Sequence, residues 1–160
     1  MLRTRPLLCS IAFALVLFGC GGSFSPAQRV QDAVHDLSNA VRFGNMGMAI
    51  ERVSPSERQP FIKRHARWGT AIRIVDCEVL GIALRDRDRA DVTLSVGWQR
   101  VEESEMRSTQ IAQKWKSEKG NWLLSGEERM GGDVGLLGEQ VDVIRPPSGQ
   151  DAQFRTITIR

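Results

Sequence analysis

Between Arg107 and Leu124 the chain reads RSTQIAQKWKSEKGNWLL, and apolar and polar positions alternate on both sides of Glu118-Lys119-Gly120-Asn121. The pattern predicts two antiparallel strands joined by a tight turn. With that turn Ser117 faces Trp122 and Trp115 faces Leu124, so Ile111, Gln113, Trp115, Trp122 and Leu124 share one side of the hairpin. The other side carries Ala112, Lys114, Lys116 and Ser125. Two indoles on one face need a large apolar partner from elsewhere in the chain. A long strand precedes the hairpin, with Val92, Leu94, Val96 and Trp98 on one face and Thr93, Ser95, Gly97 and Gln99 on the other. Before it, Ile72 and Ile74 begin an alternation that resumes at Val79 and runs to Leu84; Asp76-Cys77-Glu78 interrupts it and predicts a bulge. The alternating charges of Arg85 to Arg89 read as a solvated turn.

Ahead of the strands the period changes to that of a helix. Ser25 is placed as an N-cap with Pro26 first in the helix, and Val30, Ala33, Val34, Leu37, Ala40 and Val41 follow at helical spacing until Gly44. A short second helix is expected from Met46 to Arg52. Ser54-Pro55-Ser56-Glu57 then looks like the start of a third, running to Trp68 and ended by Gly69. Past Glu127, the glycines from Gly131 to Gly138 lack the lysine and hydroxyl residue of a phosphate loop, and the stretch reads as a flexible flap. Arg145-Pro146-Pro147-Ser148-Gly149 reads as a linker, and residues 154–160 alternate like a short strand.

The first twenty residues change the interpretation of charge and location. Arg3 and Arg5 precede the apolar run Leu7 to Phe18, which is too short to span a bilayer comfortably, and Leu17-Phe18-Gly19-Cys20 resembles a bacterial lipobox. The resemblance implies cleavage before Cys20, a lipid on its sulfur and a membrane-anchored product. Gly21 in place of a retention aspartate points, in a Gram-negative cell, to the outer membrane and a periplasm-facing domain. Without Arg3 and Arg5 the chain's 22 basic residues become 20 against 19 acidic, and no basic face for nucleic acid remains. Cys9 leaves with the leader and Cys20 is taken by lipid, so Cys77 stands alone and reads as an unreactive strand residue.

The order of elements, together with Val53-Ser54-Pro55 and Phe61, Ile74-Val75-Asp76, Ala90-Asp91-Val92, and Thr109 with Gln113, Trp115, Gly120 and Trp122, resembles the NTF2-like (cystatin-like, SnoaL-type) superfamily. The resemblance covers residues 26–128. It implies an α+β fold in which N-terminal helices pack on a curved antiparallel sheet to form a cone. Helices followed by a run of strands give the same layering on packing grounds alone. The expected organisation is a signal peptide at 1–19, a lipidated Cys20 with a tether to 25, the domain at 26–130, and a Gly/Pro-rich extension at 131–160.

Enzymes of that family place Asp, His and Tyr inside the cone. This chain contains no tyrosine, so the oxyanion donor of the isomerases is absent. His35 and His65 have no carboxylate or cysteine at metal-ligand spacing, no metal or other cofactor is expected, and both rings are expected to face solvent. Asp76, Trp98, Gln113 and Trp115 mark the candidate pocket. Asp76 is either a general base turned inward at the strand break or a bulge aspartate, and Gln113 either holds a ligand or makes a structural hydrogen bond. Trp98, Trp115 and Trp122 fit core positions better than a binding platform. The sequence thus favours a non-catalytic binding or assembly module on the membrane, with an apolar-ligand binder or enzyme using the cone as the alternative. The face with Thr93, Ser95, Gly97, Gln99 and Ala112 is expected either to pair with a second copy or to be solvated.

Overall fold

The computed structural model describes residues 25–140; the leader, Cys20 and the expected strand at 154–160 lie outside them. Three helices come first, α1 (Pro26–Arg42), α2 (Met46–Glu51) and α3 (Arg58–Arg64), followed by β1 (Ile72–Leu84), β2 (Arg89–Arg100), β3 (Met106–Glu118) and β4 (Asn121–Gly132). The Ser25 hydroxyl accepts from the Gln28 amide at 3.2 Å and caps α1, whose apolar face from Val30 to Val41 is buried. No helix among the described residues is long and apolar enough to cross a membrane.

The strands pair antiparallel in the order β1-β2-β3-β4, a four-stranded meander with α1 packed against it. This is the expected α+β architecture. The β3–β4 register has Trp115 opposite Leu124 and Ser117 opposite Trp122, closed by Glu118 and Asn121 around Lys119 and Gly120. Both turn residues have positive φ, 51° and 86°, as a two-residue hairpin turn with the twist of its strands requires. The faces of β2 are as expected, with Val92, Leu94, Val96 and Trp98 each 2% exposed or less. In β1 the register slips twice, between Ile74 and Asp76 and between Val79 and Gly81, so the extra residues are Val75 and Leu80 on either side of the anticipated break.

Four expectations are corrected. Ser54 does not cap a helix: its amide donates to the Leu124 carbonyl at 2.8 Å, Val53 bridges Leu124, and α3 starts only at Arg58. That helix also stops at Arg64 rather than Trp68, and His65 turns inward to 2% exposure instead of facing solvent. Nor do the glycines from Gly131 to Gly138 form a flap. Gly132, at φ 79°, lies so close to β3 that a Cβ would meet the Ser108 carbonyl at 2.3 Å. The chain then folds back and buries Leu136 and Leu137, with the Leu136 carbonyl accepting from the Trp68 indole at 2.7 Å.

Candidate functional site

Inside the cone, α1, the α3–β1 connection and the sheet converge on a small cavity lined by Ser38, His65, Cys77, Gln113 and Glu127 among apolar side chains. Its volume is about 20 Å³, which is room for roughly one water molecule. The polar residues are linked. The Trp115 indole donates to Gln113 Oε1 at 3.1 Å, and Gln113 Nε2 reaches Glu127 Oε2 at 3.5 Å. Glu127, whose side chain is 1% exposed, takes Arg64 Nε at 3.1 Å on Oε1, and Arg64 also pairs with Glu57. Burial works against the Arg64 guanidinium, but its bonds to Glu57 and Glu127 prevail and hold its pKa above the usual arginine value.

His65 completes the group. Its ring stacks on Phe61 and meets Trp68 edge-on, and Nδ1 lies 2.8 Å from the Phe61 carbonyl. A carbonyl can only accept, which assigns the proton of the neutral ring to Nδ1. Nε2 then presents a lone pair to Glu127 Oε1 at 3.4 Å, so two acceptors face each other across a gap that one proton would close. Burial, the largest influence, pushes the His65 pKa below its ordinary 6.5; the Glu127 charge and the Phe61 carbonyl oppose that shift, and Arg64 adds to it. Such a pair can hold or pass a proton, but the cavity beside it has no room for an organic substrate.

The residues singled out from the sequence separate here. Gln113 lines the cavity. Trp98 and Trp115 are fully buried but serve as core, each with its indole nitrogen satisfied, Trp98 by Thr109 Oγ1 at 2.9 Å. Asp76 lies outside: the bulge at Val75 turns it to the outer face opposite Gly97, where its side chain is 70% exposed and 3.8 Å from Arg42. His35 is exposed. Cys77 has its thiol pushed up by burial, against a bond from Sγ to Ser38 Oγ at 3.4 Å. Among the described residues no group of three or more His, Cys, Asp or Glu is placed to hold a metal ion.

His65, Glu127 and Arg64 were not among the candidates. Lys63-Arg64-His65 reads as a solvated helix end, and strict alternation from Trp122 and Leu124 puts Glu127 on the outer face. A bulge at Ser125 reverses that parity, since Trp115 pairs with Leu124 but Lys114 pairs with Gly126. Gly126 within a strand was the available sign.

A second concavity, an open groove of about 830 Å³, lies between α1, α2 and the β3–β4 turn. Phe43 and Met48, 78% and 58% exposed, stand in it beside Asp36, Arg52 and Lys119.

No family model matches the chain, and no curated protein sequence does either. Among solved structures it is similar to a SEC-C motif containing protein from Rhodopseudomonas palustris, at 19% identity and a TM-score of 0.50, over 56% of this chain and 70% of that one. An NTF2-like protein from Cytophaga hutchinsonii matches at 13% identity and a TM-score of 0.49, over 62% and 93% of the two chains. A protein of cystatin-like fold from Nostoc punctiforme matches at 11% identity and a TM-score of 0.46, over 68% and 91%. At these identities the likeness is one of fold alone.

Proposed function

We propose that the protein is a non-catalytic binding or assembly module, held on the periplasmic side of the outer membrane by a lipid on Cys20. One observation carries the non-catalytic part. The cone is filled by its own side chains down to a void of about 20 Å³, whereas pockets for small organic ligands run to roughly 300–1,000 Å³. Work done by such a domain falls to its surface. The anchor rests on the Leu17-Phe18-Gly19-Cys20 sequence. A second copy is a fitting partner, because Thr93, Ser95, Gly97, Ser108, Gln110 and Ala112 form a small, uncharged centre on the outer sheet face, bordered by Asp76 and Glu78 on β1, by Glu128 on β4 and by Asp91 and Lys114 toward the hairpin turn. An uncharged, low-relief centre of this kind can pack against its own copy about a two-fold axis.

The second reading, a ligand-binding or proton-transferring cone, is favoured by the buried His65–Glu127 pair. Native mass spectrometry of the full chain extracted in detergent from its own membranes tests both. The expected spectrum shows a diacylglyceryl-modified protein, two copies per particle and no small-molecule adduct. A reproducible organic adduct would favour the second reading, and an unlipidated mass would remove the anchor. Ser95→Arg is expected to leave a monomer.

A further inference from the structure

At one margin of the sheet, β1 has β2 on one side only. Beyond the bridge between Trp68 and Ile72, no described residue pairs with the outward backbone groups of residues 73–84. The opposite margin differs: Val53 bridges β4 at Leu124, and the amides of Ser54 and Leu124 are both used. Residues 79–84, Val-Leu-Gly-Ile-Ala-Leu, carry no charge, Leu80 and Leu84 are 48% and 42% exposed, and the space around Gly81 is open. An uncharged strand edge of this kind invites another strand. Glu78, exposed at its head, makes no ion pair among the described residues.

We infer that residues 154–160 of this same chain, Phe-Arg-Thr-Ile-Thr-Ile-Arg, pair with the free edge of β1 as a fifth strand. Their centre, Thr156 to Ile159, is β-branched throughout and suits an edge rich in apolar side chains. Their ends carry Arg155 and Arg160, so in either strand direction an arginine comes level with Glu78. Reach is ample. The Leu136 carbonyl sits on the Trp68 indole, next to the start of β1. From there residues 141–153 extend up to about 45 Å, more than the roughly 35 Å across a compact domain of this size.

The test is amide hydrogen exchange on the full chain and on its I157D/I159D variant. Amides of residues 76–84 that do not bond β2 are expected to exchange at least about tenfold faster in the variant, while β2 and β3 stay unchanged. T158P, which removes one amide without adding charge, should give the same local loss. Equal exchange in wild type and both variants overturns the pairing. Protection that disappears on dilution to nanomolar concentration also overturns it, by assigning the strand to a second copy.

Discussion

Two buried polar groups tie the sheet to the rest of the chain, and they do so by opposite means. At one end of the cone Trp98 donates to Thr109 Oγ1, Thr109 donates to the Asp133 carbonyl at 2.7 Å, and the Asp133 amide returns to the Ser108 carbonyl at 2.8 Å. Every donor in those links meets an acceptor without a charge, and the Asp133 carboxylate adds one exposed bond, from the Ser108 amide at 2.8 Å. At the other, Arg64, His65, Gln113 and Glu127 gather around one carboxylate, and His65 Nε2 is left facing it without a proton. The first group fixes where the chain turns after β4. The second fixes how α3 meets the sheet, and its balance depends on the solution.

Three measurements test that contrast. The largest effect is expected from Trp98→Ala, which empties the centre of the neutral end and should cost about 3–5 kcal/mol in urea unfolding. A loss under 1 kcal/mol would mean that the indole is not the keystone of that core. Thr109→Val keeps the shape but leaves the Trp98 nitrogen unmatched, at about 1–3 kcal/mol. This cost should be equal at pH 7.5 and pH 5.5; a cost that varies with pH would link the two ends. The smallest effect concerns the charged end. Because the His65 pKa is depressed in the fold, the unfolded chain takes up the proton first as pH falls. Stability is therefore complete above the ordinary 6.5 and declines as pH drops below it toward the folded value. In thermal melts the wild type should lose stability between pH 7 and 5.5, and His65→Gln should flatten that part of the profile. A variant with an unchanged slope would place the pH dependence elsewhere.

The same contrast separates what was legible in the sequence from what was not. Strands β2 and β3 keep one inner parity from Ala90 to Trp98 and from Thr109 to Trp115, so alternation alone identified their buried faces and the hairpin register. The charged end is built where periodicity fails. His65 follows the last residue of a helix only seven residues long, and Glu127 follows a one-residue slip. For Asp76 the sequence left two readings open, an inward base or a bulge aspartate, and the slip at Val75 turns its side chain outward. The stretch after β4 hid its leucines among glycines, and those glycines make a close return possible rather than a loose one.

That return also has a consequence in time. The sheet is a meander whose pairings join successive strands, and such local contacts are cheap in loop entropy and quick to form. The bond from the Trp68 indole to the Leu136 carbonyl joins residues 68 apart. We expect it to be among the last contacts made, after the strands it spans have assembled. Synthesis imposes the same order, because Leu136 leaves the ribosome after all four strands of the meander. A nascent chain that has only reached Gly132 has every strand of the meander but not yet the carbonyl that accepts from the Trp68 indole.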